Sequence, residues 1–321
     1  MHKLTHFLLA SVCLAAFPAH AANDYPARPV TMVVPYAPGG TTDIMARITA
    51  QALMESTGQS FVVENKGGAS GTIAMGIVAT AKPDGYTVLS NEMTQTIVPS
   101  LFPALSFDPV KDIKGVSIYA EAPYVLAVSS KLPVKTLKEF VEYAKARPGD
   151  VNFASGGVGS GPHMAGELLK SVADIEMTHI PYKGSGPALN DLLSGQVDVL
   201  ITAAPTAAPY VNSGRIKVLA VAHDKRVSSL PDVPTSVEAG FPDFRVANWF
   251  GVAVPKGAPE HVSATLFAEL KKALAKQAFR DKLVAAGAEP VTMSPEETDR
   301  FIQSEAQKWS ALIKKANIVN N

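Results

Sequence analysis

Cysteine is almost missing from this chain. Cys13 is the only one, and it lies inside an N-terminal apolar stretch, residues 7–17. No disulfide can form within one molecule, so the fold must be held by its core alone. Charge of one sign is missing too: 29 Lys and Arg balance 29 Asp and Glu. That excludes the broad basic face that nucleic acid requires, and it leaves no polybasic patch for a membrane surface. No later apolar run reaches the length of a bilayer span. Metal and catalytic signatures are also wanting. His163, His179, His223 and His261 form no H-E-x-x-H pair, no serine sits in G-x-S-x-G, and no P-loop occurs. The run Gly157-Val158-Gly159-Ser160-Gly161 looks loosely like a dinucleotide loop, but its last glycine falls one residue early. No metal, cofactor or catalytic residue is expected.

The N-terminus reads as a secretory signal peptide over residues 1–21. Lys3, His2 and His6 make a weakly basic start, the apolar stretch is too short to span a bilayer, and Ala19-His20-Ala21 is a small-x-small cleavage site. A retained anchor is the alternative. Val12 stands where lipid attachment at Cys13 would need a small residue. Export to the periplasm is therefore expected, with a cysteine-free mature chain starting near Ala22. Removing the leader takes Lys3 and no acid, leaving a formal charge of −1. Any site for an anion must then be local.

What is present is a repeated pattern. Pro35-Tyr36-Ala37-Pro38-Gly39-Gly40 runs into Thr41-Thr42-Asp43 and an amphipathic segment. Phe153-Ala154-Ser155-Gly156-Gly157 runs through Ser160-Gly161-Pro162-His163 into another. Each reads as strand, glycine turn, helix start. A second pair follows in the same order, Asn65-Lys66-Gly67-Gly68 and Tyr182-Lys183-Gly184-Ser185. Gly39 and Gly156 are 117 positions apart, as are Lys66 and Lys183. Two loops keeping one offset imply two similar lobes, each aiming backbone N–H groups at a shared cleft, which holds an anion with little side-chain charge.

Strands and helices alternate along the chain, the mark of α/β architecture. Strands are expected at 30–34, 61–63, 86–89, 124–129, 151–154, 177–180, 197–202, 216–222 and 249–254. Capping boxes are expected at Thr136–Glu139, Thr235–Glu238 and Ser294–Glu297. On the first helix, Ile44, Met45, Ile48, Ala52 and Leu53 share one face. The two long C-terminal helices have no counterpart in the second unit and should pack on the first lobe. The chain would then cross between lobes twice, near Ala122-Pro123 and Val246-Ala247, giving a two-strand hinge. Lobe 1 is expected over 22–124 and 247–321, and lobe 2 over 125–246.

Individual side chains leave alternatives open. Lys66 and Lys183 occupy equivalent loops and are the cationic candidates, although exposure is the default for lysine. Asp43 with Arg47, four residues on, fits a surface ion pair. Ser155, Ser160 and Ser185 could donate to a carboxylate or bond their own turns. His163 opens a helix and could face the cleft, cap or pack. Asp198 interrupts an apolar strand and needs a partner, either ligand or loop. Trp249 could wall the cleft or fill the core. Asn91, Asp198 and Trp249 are candidates for specificity.

Nearly the whole mature chain resembles the Bug/TctC family, the extracytoplasmic solute receptors of tripartite tricarboxylate transporters. The resemblance rests on Tyr25-Pro26-x-Arg28-Pro29-Val30, Val34-Pro35-Tyr36-Ala37-Pro38-Gly39-Gly40 with Asp43 and Arg47, and Val63-Glu64-Asn65-Lys66. It continues through Lys82-Pro83-Asp84-Gly85-Tyr86, Tyr182-Lys183-Gly184, Asp191-Leu192-Leu193 to Asp198, and Leu230-Pro231-Asp232-Val233-Pro234-Thr235. It implies a two-lobed periplasmic binding fold, type II-like. It also implies a ligand carboxylate held by backbone amides and ordered waters, here from Pro38, Gly39, Gly40 and Thr41 in one lobe and Ser155, Gly156 and Ser160 in the other. After Asn65 the family commonly reads Arg-Pro-Gly-Ala-Gly-Gly, whereas this chain reads Lys66-Gly67-Gly68-Ala69-Ser70-Gly71. Tyr36 and Gly68 complete the candidate ligand contacts. The expected partners are a small organic carboxylate and the membrane permease subunits of a tripartite transporter. The receptor is expected to be a monomer. A ligand-presenting receptor for a membrane sensor, or an exported enzyme on the same fold, are the alternatives.

Overall fold

The computed structural model describes residues 25–182 and 185–319. The expected signal peptide and Lys183 lie outside the described residues. No helix among the described residues is long and apolar enough to cross a membrane.

Each half is built on three parallel strands. In the first, β1 (Val30–Val34) pairs with β2 (Phe61–Asn65) on one side and β3 (Thr87–Glu92) on the other. In the second, β5 (Asn152–Ser155) lies between β6 (Thr178–Pro181) and β7 (Val199–Ala203). The orders β2-β1-β3 and β6-β5-β7 match, so the repeat in the numbering is a repeat in topology. The inner strands β1, β5 and β7 are largely buried, while the edge strands β2 and β6 are partly exposed.

One strand serves both halves. β4 (Ile113–Ser129) pairs with β9 (Ala247–Pro255) over Ile113 to Pro123, then with β7 and β8 (Ile216–Val221) over Tyr124 to Ser129. The returning chain runs beside it: the Tyr124 amide donates to the Val246 carbonyl at 3.2 Å, and the Val246 amide to that of Ala222 at 2.8 Å. Both crossings therefore sit side by side, at Pro123 opposite Ala247. A short β10 (Glu289–Pro290) adds to the far edge of β4.

Helix α1 (Thr41–Thr57) buries Met45, Ala46, Thr49, Ala50 and Leu53 at helical spacing and stops at Gly58, whose φ of 72° lets its amide reach the Met54 carbonyl. Ile44, expected on that buried face, is instead 42% exposed. Helices α2 (Thr72–Ala79) and α3 (Thr94–Leu101) follow β2 and β3, and α4 (Leu137–Lys145) follows β4. In the second half α5 (Gly161–Ala173), α6 (Ser185–Ser194) and α7 (Ala204–Asn212) follow β5, β6 and β7. α8 (Glu260–Ala275) and α9 (Gln277–Ala285) lie against α1 in the first lobe.

The last helix does more than expected. α10 (Pro295–Lys315) starts at a full capping box on Ser294 and Glu297. It packs on α3 and β4, and its final turns reach α5 in the second lobe, where Lys315 Nζ donates to Ser171 Oγ at 2.8 Å. Trp309, Leu312 and Ile313 enter a core shared with Met93, Met164 and Leu169. Trp309 is fully buried and its indole N–H donates to Glu305 at 2.9 Å. Trp309→Ala should lower unfolding free energy by about 3–5 kcal/mol in a denaturant titration, and a loss under about 1 kcal/mol would mean α10 is a surface appendage.

Candidate functional site

Four helices begin at one place. A cavity of about 640 Å³ between the two halves is lined by Gly40, Thr41 and Thr42 at the start of α1, and by Ser160, Gly161 and Pro162 at the start of α5. Ser185 and Gly186 open α6 on the same cavity, and Ala203 precedes α7 there. Each helix N-terminus carries amides with no intrahelical carbonyl to bond and a partial positive charge.

The first turn leaves its helix start without a side-chain cap; Gly40 is the N-cap of α1. Gly39 adopts φ 86°, which favours glycine, and its amide donates to Asp43 Oδ2 at 2.9 Å. Asp43 also accepts from Arg47 Nε at 3.0 Å and from Asn65 Nδ2 at 2.9 Å. Burial pushes this carboxyl up, but the bonds from Arg47, Gly39 and Asn65 outweigh it and hold the pKa below its ordinary value. Asp43 thus braces the turn from behind and does not face the cavity.

The second turn is held by its own side chains. Ser155 Oγ takes the Gly157 amide at 3.1 Å and lies 2.6 Å from His179 Nε2. Ser160 caps α5, accepting from the His163 amide, and its hydroxyl donates to the Gly157 carbonyl at 2.7 Å. His163 Nδ1 accepts the Gly159 amide at 3.1 Å, and its ring stacks on His179 with centroids 3.9 Å apart. Burial, His179 and Lys170 lower the His163 pKa to about 3, and burial with Lys170 lowers that of His179 to about 4. Both rings are neutral at neutral pH, as an acceptor Nδ1 requires.

Of the candidates from sequence, Tyr36, Gly39, Gly40, Thr41, Gly156 and Ser160 line the cavity. Pro38 is exposed and does not line the cavity. Lys66 is exposed and pairs with Glu64 at 3.4 Å. Gly68 adopts φ 133°, where a Cβ would strike Ile73. Ser155 and His163 are buried behind the second turn. Asp198 stands at the opposite end of β7 from the cavity and accepts the Asn152 amide at 2.9 Å, so its partner is the start of β5. Asn91 and Trp249 point the wrong way: their strand neighbours Glu92, Asn248 and Phe250 line the cavity instead. Alternation along a strand makes such a one-residue error a change of face. Trp249 fills the core against Phe301.

The remaining wall includes Ile44, Tyr124, Thr202 and Thr206, with Ala285 and Ala286 at one rim. Glu92 is buried and accepts from Tyr36 O–H and the Thr94 amide, both at 3.1 Å, and from the Thr94 hydroxyl. Burial raises its pKa above the ordinary value despite these bonds. No Lys, Arg or His among the described residues lines the cavity.

Paired α/β halves, two adjacent crossings and an interlobe cavity define a two-lobed binding protein of the periplasmic kind. The model of the tripartite tricarboxylate transporter family receptor matches residues 45–318, and the chain belongs to that family of extracytoplasmic solute-binding receptors. It is 38% identical to the protein BugT of Bordetella pertussis over 297 residues, covering 92% of this chain and 91% of the relative. A Rhodopseudomonas palustris protein solved with adipate superposes with a TM-score of 0.83 at 37% identity, over 92% of this chain and 99% of that one. MatC from Rhodopseudomonas palustris, solved with bound malate, gives 0.79 at 35% identity, over 90% and 100%.

The histidine stack makes stability depend on acidity. Both folded pKa values lie below the unfolded value near 6.5, so the unfolded chain binds more protons and stability falls as pH drops from about 6.5 towards 4. For His163 the loss should approach about 2 kcal/mol by about pH 5. Thermal melts of wild type against His163→Phe should show the variant less sensitive across that window, and equal slopes would mean His163 is free to protonate in the fold.

Proposed function

We propose that the protein captures a small carboxylate in the interlobe cavity and delivers it, as a periplasmic monomer, to the membrane permease subunits of a tripartite transporter. The convergence of four helix N-termini on one cavity carries this reading. Hydrogen bonds to a charged oxygen contribute about 1.5–3 kcal/mol each. Three or four of them reach the −8 kcal/mol or so of micromolar binding without a basic side chain. The relatives solved with adipate and malate support an acid as the ligand class. We place the lobe boundaries at the adjacent crossings, 124/125 and 246/247, where two strands can flex together.

Gly40 offers the cleanest test. Its φ is −79°, and a Cβ there would meet nothing nearer than the Ala37 carbonyl at 3.8 Å, so a side chain fits the backbone yet enters the cavity. Gly40→Val should weaken carboxylate binding at least about tenfold in calorimetry while shifting stability by under about 1 kcal/mol. Unchanged affinity would remove the first turn from the site. A thermal-shift screen tests the ligand class: acids should raise the melting temperature, and stabilisation by neutral sugars alone would defeat the carboxylate reading. Small-angle scattering should show a smaller radius of gyration with a stabilising acid, and an unchanged radius would count against closure.

A further inference from the structure

The helix starts account for one end of a ligand; the cavity floor asks for something else. That floor is made by β3, β4 and β9, with Glu92 opposite Phe250 in register and Asn248 opposite Ala122. It presents two acceptors. The first is the Glu92 carboxyl, on β3, which is 3% exposed. Every donor around it is neutral: Tyr36 O–H, the Thr94 amide and hydroxyl, and the Met93 amide. The ionisable groups facing it are the phenols of Tyr36 and Tyr124, both pushed by burial well above their ordinary value and so neutral themselves. The second is Asn248 Oδ1, on β9, which is buried and has no hydrogen-bond partner. A buried acceptor left without a donor costs about 1–3 kcal/mol, so Asn248 Oδ1 favours a ligand that supplies one. The donors from Tyr36 and Thr94 all reach Glu92 Oε1 and are neutral, so a ligand donor there adds a partner that its present ones do not replace.

We infer that Glu92 and Asn248 read a hydrogen-bond donor on the ligand, an ammonium or a hydroxyl carried beside its carboxylate, and that Glu92 selects against an acid whose only other polar group is a second carboxylate. The inference rests on the carboxylate reading above and names the subclass: amino or hydroxy acids. The selection has two parts. A donor satisfies the Glu92 carboxylate directly, with full charge complementarity if it is an ammonium. A second carboxylate in the same place sets two anions together where water is scarce, and one must take up a proton at a cost.

The test is calorimetry on the full mature chain with short acids matched in length. They differ only in carrying a methyl, a second carboxylate, a hydroxyl or an ammonium, at the 2-position and at the chain end. Wild type should prefer the hydroxyl and ammonium members. Glu92→Gln should weaken the best ammonium acid about ten- to a hundredfold, leave the dicarboxylate equal or tighter, and so compress or invert the ranking. Asn248→Ala should weaken donor-bearing acids without favouring the dicarboxylate. The ratio between ligands is read within each variant, so a partly unfolded preparation does not change it. A wild-type preference for the dicarboxylate, or a ranking that Glu92→Gln leaves unaltered, overturns the inference while the carboxylate reading stands. If no acid in the series binds, both fall together.

Discussion

The pairing of β4 with β9 is the constraint on which the rest depends. β4 is a single strand of 17 residues that belongs to both halves, and β9 returns beside it. Their hydrogen bonds fix the two crossings next to each other. The same pair makes the cavity floor, because Ala122, Tyr124, Asn248 and Phe250 all come from it. The crossings and the floor are thus one structural element, and the strands that join the two halves also line the cavity. α10 adds a second connection, since its apolar face is shared between α3 and α5.

The two turns reach similar ends by different means. In the first, Asp43 works from behind, tied to Gly39, Arg47 and Asn65, and the helix start is left uncapped. In the second, Ser155, Ser160 and two neutral histidines occupy the loop's own groups, and the helix start is capped. The first turn therefore leaves its helix start without a side-chain acceptor, while the second spends Ser160 on its own helix start. Charge sits behind the first turn, in Asp43 and Arg47, and two neutral rings back the second, while glycines and hydroxyl-bearing residues line the cavity with Glu92.

Much of this was legible in the residues. The glycine turns, their common offset and the alternation of strands and helices located both halves, because glycine at a strand-to-helix junction has a local physical cause. What was not legible depended on facing. Asn91 and Trp249 each stand one residue from side chains that line the cavity, and nothing local fixes which face of a buried strand meets a cleft. Prolines obscure the helical pattern in two places, Pro99 in α3 and Pro209 in α7. The box at Thr235 and Glu238 does form both of its bonds, yet it closes only a turn. Gly240 at φ 89° and Pro242 leave no room for a helix.

A cavity furnished with peptide dipoles has a further consequence. Among the described lining residues no basic side chain projects a field into solvent, and the chain carries equal numbers of acidic and basic residues. Encounter with an anion is then not accelerated by long-range steering, and its rate should be that of ordinary diffusion into an open mouth. Short-range amide contacts are also barely screened by salt. For the acid ligand proposed above, affinity set by such contacts should change little from dilute to saline water.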